Sequence, residues 1–268
     1  MKKSIRSNVF WYGMKVFYLI SGRSANGNGE TPDKILLQPK ATLPQALRET
    51  NLITPIIEKI YHRAELSRIR ERVAADLEAR KGNSMLVVSP NGDTGASLLV
   101  VALGYYTAYA CRQKVLLIDC NMCHPDLHTF FNLPQSYGLT DLIQNDLSWR
   151  DIVKDTGIER LHIITTGSVD DNISVDLRHC HIQNLFKDIQ SQFDLIICDT
   201  SPVLQNNRNI ASLSAMTDYC IMVIKQIVTT KGQFKKAQNV IESGNGKIDA
   251  IIVNEHDTDK LPLNKLLT

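Results

Sequence analysis

The apolar positions of this chain fall into short runs and long periodic segments. The short runs, rich in leucine and β-branched residues, are Met85–Ser89 (MLVVS), Lys114–Asp119 (KVLLID), Leu161–Thr165 (LHIIT), Asp194–Asp199 (DLIICD), Tyr219–Ile224 (YCIMVI) and Ile248–Val253 (IDAIIV). Runs this short without polar alternation predict strands covered on both faces, as in a parallel sheet. Ser97–Ala110 (SLLVVALGYYTAYA) is apolar almost throughout and predicts a buried helix. Glu65–Arg80 is charged on one side and carries Leu66, Ile69, Val73 and Leu77 at intervals of threes and fours, the pattern of a docked amphipathic helix. Strands alternating with helices predict an α/β fold: an open, mostly parallel sheet with helices on both faces and ligands beyond the carboxyl ends of the strands.

The flanks read differently. Residues 1–23 carry Lys2, Lys3, Arg6, Lys15 and Arg23 with no acidic residue, and their apolar clusters, Val9–Tyr12 and Val16–Ile20, are too short to span a bilayer. No small-residue cleavage site follows to mark a signal peptide. Such a basic arm, with Phe10, Trp11, Tyr12 and Phe17, suits an anionic membrane surface. A helix or strand packed on the domain or on a partner fits equally well. Residues 24–58 begin rich in Gly, Ser, Asn and Pro and read as a flexible linker, residues 59–258 as the main domain, and residues 259–268 as a short tail.

Composition narrows the function. With 268 residues, 43% hydrophobic and 22% charged, the chain builds one substantial core and is not disordered. Its net charge of +2 is too small to point to nucleic acid. The six cysteines lie mostly inside apolar runs, which suits reduced thiols in a cytosolic compartment better than a disulfide framework.

The first strand runs into Ser89–Ser97 (SPNGDTGAS), a partial match to the phosphate-binding loop GxxxxGK[ST]. In that motif backbone N–H groups face the phosphates, the lysine reaches them and the Ser/Thr hydroxyl serves magnesium. Gly95 and Ser97 fall in place, Pro90 stands where the first glycine belongs, and Ala96 stands where the lysine belongs. Strand, glycine turn and helix supply the geometry the motif needs. Asp119 and Asp199 end two later strands. Should those strands flank the loop strand, both carboxylates would face the phosphate site and could bind magnesium directly or through water.

Several stretches in order, SPNGDTGAS, VLLIDCNMCHPDLHTFFNLPQSYGLTDLI, LHIITTG, FDLIICDTSPVL, TDYCIMVIK and AIIVN, resemble the bacterial tyrosine kinases of capsule and exopolysaccharide assembly, which belong with the P-loop ATPases. The resemblance runs from about Glu65 to Asn254. Its most specific part keeps Asp119, Pro125, Leu127, His128, Phe131, Leu133, Pro134, Gly138, Leu139, Asp141 and Leu142 in register with the family pattern. It implies a site for ATP and Mg2+ in which Gly92, Asp93, Thr94, Gly95, Ala96 and Ser97 line the phosphates and Asn254 contacts the adenine. Ser97, Asp119 and Asp199 would serve the metal, and Asp119 would accept the tyrosine proton. It also implies a cytoplasmic protein, peripheral at the inner membrane. Its partner there would be a chain-length-regulator-like adaptor or an active kinase paralogue.

The departures from that pattern bear on activity. Ala96 replaces the lysine, Asn121 replaces a second aspartate, and Cys123 with His124 replaces a basic pair. A full charge about 4 Å from the phosphates contributes on the order of 4 kcal/mol at an effective dielectric near 20, so its loss costs about a thousandfold in rate. The family's ExxRxxR helix motif, used in subunit contacts, keeps Glu65 and Arg68 but has Glu71 in the last place. The family's kinases carry a C-terminal tyrosine cluster, whereas His256–Thr268 has no tyrosine, which excludes self-phosphorylation on that segment. These departures lead to the expectation of a pseudokinase or regulatory partner. The alternatives are an active tyrosine kinase acting in trans and a membrane-cycling ATPase of the ParA/MinD kind, although the latter needs an additional loop lysine that Ser89–Ser97 lacks.

Cys120–His124 (CNMCH) also spells CxxCH. Haem attachment would need an exported chain, and a zinc site would need a fourth ligand that no second CxxC supplies. Cys180 between His179 and His181 reads as a helix start. No GxSxG supports a serine hydrolase.

Overall fold

The computed structural model describes residues 17–21, 64–145, 147–168, 180–205 and 207–254. Most of the expected arm, all of the expected linker and the tail lie outside the described residues. In chain order the strands are β1 (Phe17–Ser21), β2 (Ser84–Val88), β3 (Val115–Cys120), β4 (Val153–Asp155), β5 (Leu161–Ile164), β6 (Leu195–Thr200), β7 (Tyr219–Lys225) and β8 (Ala250–Asn254). The helices are α1 (Ala64–Arg80), α2 (Ala96–Ala110), α3 (Leu127–Phe130), α4 (Leu139–Asn145), α5 (Trp149–Ile152), α6 (Cys180–Gln190), α7 (Asn207–Met216) and α8 (Lys231–Ser243).

All eight strands form one sheet in the order β1-β8-β7-β2-β6-β3-β5-β4. The inner six are mutually parallel and coincide with the six predicted runs. Their pleat explains the unbroken apolar runs. Met85, Val87, Leu117, Ile197 and Ile221 enter one core under α1 and α2. Leu86, Val88, Leu116, Ile118 and Ile196 enter a second core against α6, α7 and α8. Each fully buried Leu, Ile or Val contributes roughly 1.5–3 kcal/mol, so both faces stabilise the sheet.

The amphipathic face of α1 is buried as its spacing predicts, with Leu66, Ile69, Val73 and Leu77 all in the first core. Gly104 lets α2 lie close to the sheet, since a Cβ there would stand 2.6 Å from a Leu117 methyl carbon. The outer strands, β1 on β8 and β4 on β5, are antiparallel and were not predicted. β1 lies within residues 1–23, so this part of the segment takes the packed-strand alternative. It covers the open edge of β8 from Phe17 opposite Asn254 to Ser21 opposite Ala250.

The condition on strand order is met by one of the two aspartate strands. β2 is flanked by β6 and β7, because the buried residues 219–223 of β7 take the flank that β3 would have needed. Asp199 on β6 therefore lies beside the loop strand, while Asp119 on β3 is one strand further out, in register with Asp199.

The amino ends of the strands are tied by a satisfied polar network. Asp218 Oδ2 accepts from Asn83 N–H at 3.0 Å, Ser84 N–H at 2.9 Å and the Ser84 hydroxyl at 2.6 Å. Arg80 donates to Asp249 Oδ1 and to the Asp218 carbonyl, both at 2.8 Å, and lies over the Tyr219 ring. Asp249 also accepts from Cys220 N–H at 3.0 Å. These bonds anchor the end of α1 to β2, β7 and the turn before β8.

Candidate functional site

The loop Ser89–Ser97 leaves the carboxyl end of β2 and is fastened from both neighbours. Val203 and Leu204, after β6, donate to the Ser89 and Pro90 carbonyls at 2.8 and 3.3 Å. Thr229, after β7, donates its hydroxyl to Asn91 Oδ1 at 3.1 Å. Asn254, the last residue of β8, donates its side-chain amide to the Thr94 carbonyl at 2.9 Å. The turn itself needs left-handed backbone at Asp93 (φ 58°) and Gly95 (φ 86°). Asp tolerates that conformation through its short polar side chain, and Gly carries no Cβ to oppose it. Gly92 is not sterically required, since a Cβ there would meet nothing within 4 Å. Gly95 caps α2, so Ala96 and Ser97 form its first turn, with Ala96 buried.

Two carboxylates converge beside this turn from β3 and β6. Asp119 and Asp199 are both 0% exposed. Asp119 accepts from the backbone N–H of Asn121 at 3.0 Å and of Leu127 at 3.2 Å. Burial pushes its pKa up to about 7, against the pull of these hydrogen bonds and with a further push from Asp126. Neither carboxylate oxygen of Asp199 has a hydrogen-bond partner. Burial first, and the neighbouring Asp119 second, hold it well above the ordinary carboxylate range. The Ser97 hydroxyl opposes that rise without closing a hydrogen bond to either Asp199 oxygen, and it acts in the same sense on Asp126, whose pKa burial raises.

Buried carboxylates that are close together and unpartnered favour a bound proton or a bound cation. Their oxygens and the Ser97 hydroxyl are hard donors of the kind Mg2+ takes. The orphaned oxygens of Asp199 therefore fit the implied metal. No group of three or more His, Cys, Asp or Glu side chains among the described residues forms a protein cage for a metal. A cation here would rest on few protein oxygens, with water and phosphate completing its shell, which is the usual habit of Mg2+.

Asn121 has a structural post that its place in the motif does not reveal. Its Nδ2 donates to the His124 carbonyl at 2.7 Å, while its Oδ1 accepts from His124 N–H at 3.1 Å and from the Ser201 hydroxyl at 2.9 Å. Ser201 in turn accepts from Cys123 N–H at 3.2 Å. An aspartate at this position would set an oxygen against the His124 carbonyl. The CxxCH stretch is thus a turn closed by Asn121, with Cys120 buried and Cys123 exposed. Asp141 does similar work nearby, accepting from Gly138 N–H at 2.8 Å and Ser168 N–H at 3.2 Å.

The structure brings Thr94, Gly95, Ala96, Ser97, Asp119 and Asp199 to one end of the sheet. Asn254 reaches the same place as a brace on the loop, its amide already directed at Thr94. Three residues beyond the motif also belong here. Asp126 adds a third carboxyl, Ser201 locks Asn121, and Thr166 donates to the Asp119 carbonyl at 3.1 Å. Asp126 had a signal in the chain, a second acid closely following Asp119. Ser201 and Thr166 act through contacts remote in sequence and had none.

No protein-family profile matches the chain. It is 28% identical over 193 residues to CapB of Staphylococcus aureus, a tyrosine-protein kinase by name, covering 72% of this chain and 83% of that protein. It is 26% identical over 190 residues to the tyrosine-protein kinase Ptk of Acinetobacter johnsonii, covering 71% of this chain but only 26% of Ptk. Among solved structures, the chimerical protein CapA2B2 superposes with a TM-score of 0.67 at 23% identity, over 78% of this chain and 92% of that one. The kinase domain of the Escherichia coli tyrosine kinase ETK superposes with a TM-score of 0.66 at 20% identity, over 74% and 79%. The chain is thus similar in sequence to bacterial tyrosine-protein kinases and shares the fold of their kinase domains.

Proposed function

We propose that this kinase homologue serves capsule or exopolysaccharide assembly as a regulatory, kinase-shaped partner, keeping the phosphate-binding frame and having given up efficient phosphoryl transfer. The observation that carries the reading is Ala96. It is buried at the first turn of α2 where a lysine would reach the phosphates, and no lysine lies between Ser89 and Ser97. Phosphoryl transfer depends on positioned positive charge around the transferring group, and this loop carries no Lys or Arg.

The frame would still hold a nucleotide. Backbone N–H groups of the Gly92–Ser97 turn would face the phosphates, with Ser97, Asp199 and Asp119 available to Mg2+. Bound there, Mg2+ would neutralise phosphate charge and relieve the two buried carboxylates. The partner in this reading is a chain-length-regulator-like membrane protein or a catalytically intact kinase, met at the cytoplasmic face of the inner membrane.

A second reading, an active tyrosine kinase acting in trans, has one observation in its favour. Asp119, pushed up to about 7, matches the affinity of a proton acceptor working near neutral pH. Calorimetry with Mg-ATP, followed by phosphotyrosine detection on the purified protein with and without a partner, separates the two. The regulatory reading expects nucleotide binding without tyrosine phosphorylation, and transfer appearing in Ala96→Lys. Phosphorylation of a partner by the unaltered protein would overturn it.

A further inference from the structure

We propose that the β7–α8 loop and the first turns of α8 form a docking surface for an anionic lipid bilayer. This goes beyond the regulatory reading, because the surface belongs to the folded domain and does not depend on nucleotide. Ile227 is 61% exposed and Val228 is 41% exposed, side by side at the loop tip. Both neighbours of this pair are pinned inward. Gln226 is buried and its N–H donates to the Asn254 carbonyl at 3.0 Å. Thr229 is buried, donates its N–H to the Lys225 carbonyl at 2.8 Å, and accepts from Lys225 N–H at 3.1 Å. Thr230 then caps α8 through a reciprocal pair of hydrogen bonds with Gln233. The two aliphatic side chains are thereby held out on a braced tip.

The backbone there supports a role beyond connection. Ile227 has φ 69° and is the single β-branched residue with positive φ among the described residues. A branched Cβ strongly disfavours that conformation, and such strain persists where surrounding contacts enforce it, often at functional surfaces. Leu204, 40% exposed on the β6–α7 connection, belongs to the same rim, since it bonds Pro90 while Thr229 bonds the adjacent Asn91.

Charge selects the occupant. Residues 219–241 hold Lys225, Lys231, Lys235 and Lys236 and no Asp or Glu. Lys231, Lys235 and Lys236 are exposed on the first turns of α8, directly after the tip. Protein interfaces are depleted in lysine. An aliphatic tip followed directly by three exposed lysines instead matches a bilayer edge, where apolar groups enter the interface and ammonium groups meet anionic headgroups.

Co-sedimentation of the full chain with phosphatidylglycerol-containing vesicles and with purely zwitterionic vesicles tests the surface. The expected result is binding to the anionic vesicles at least about tenfold stronger than to neutral ones, weakened by salt. Lys235→Glu/Lys236→Glu and Ile227→Gly should each reduce binding about tenfold. Glycine also relaxes the left-handed backbone, so Ile227→Gly should melt no lower than the native chain, which separates lost binding from lost folding. Variants that bind as well as the native chain would assign binding to residues 1–23 or another surface and overturn the proposal. Absence of binding, equal binding to neutral vesicles, or binding only when a membrane protein is present would overturn it too.

Discussion

The two ends of the parallel sheet treat the same residue types in opposite ways. At the amino end, Asp218 and Asp249 are surrounded by donors: two backbone N–H groups and a hydroxyl on Asp218, and a guanidinium and a backbone N–H on Asp249. At the carboxyl end, Asp199 is fully buried with neither oxygen partnered, and Asp119, register-paired with it, has no cation to oppose its burial, only the N–H groups of Asn121 and Leu127 and the Thr166 side chain. Native structures satisfy buried polar groups almost everywhere. A sheet that does so at one end and not at the other separates the part built for stability from the part left ready for a ligand.

The largest expected effect adds a cation to the unsatisfied end. Ala96→Lys should raise phosphoryl transfer to a tyrosine peptide by up to about a thousandfold over the native chain. If turnover does not rise while Mg-ATP still binds, the missing lysine is not what separates this chain from an active kinase.

Next comes pH. Asp119 has its pKa raised from 3.8 to about 7, so the folded state retains a proton that the unfolded state releases. Its stabilising contribution is complete below about pH 4 and is lost as pH rises through about 7, at roughly 1.4 kcal/mol per pH unit and on the order of 4 kcal/mol in all. Urea denaturation between pH 5 and pH 8 should show native stability falling with pH, and Asp119→Asn should make the fall shallower, the remainder being carried by Asp199 and Asp126, whose pKa values are raised in the same direction. Magnesium should recover part of the loss at pH 8. A native profile already flat across this range would contradict the unsatisfied end.

At the satisfied end, Asp218→Ala strands three donors and should destabilise the fold by about 3 kcal/mol, with no change in Mg-ATP affinity per folded molecule. Weakened nucleotide binding at equal folding would show that the two ends are coupled. The smallest effect is that of Ile227→Gly, which should add about 1 kcal/mol to stability by relieving the left-handed isoleucine. A loss of stability would mean that the side chain, despite its exposure, packs in a way that outweighs its backbone strain.

The fold was legible wherever burial was two-sided. The six inner strands and the amphipathic stripe of α1 announce themselves because a core on each side demands unbroken or strictly periodic apolar positions. β4 escaped notice because Val153, Lys154 and Asp155 form an edge that is partly exposed, so no apolar run marks it. β1 was hidden in a segment whose basic composition suggested a surface arm. Strand order could not be read from the strands themselves, which is why the sequence leaves the distance of Asp119 from the loop strand open.

Within the site, Gly95, Ser97, Asp119 and Asp199 were visible because each sits at a fixed step from a strand end. Asn121 was legible only as a substitution. That it holds the following turn together depends on Ser201, which reaches it from just beyond the end of the neighbouring strand β6, and no local spacing records such a contact. The apolar tip at Ile227 and Val228 was likewise silent, because its meaning lies in a backbone angle.

The position of β2 in the sheet also bears on how the protein is made. The strand that launches the phosphate loop lies between β6 and β7, and the loop's Thr94 is tied to Asn254 at the end of β8. A nascent chain therefore translates its loop strand long before either lateral neighbour has left the ribosome, and the last tie arrives with the final described strand. Such distant pairing slows folding, and the exposed edges of β2 would be the natural target for a chaperone during synthesis.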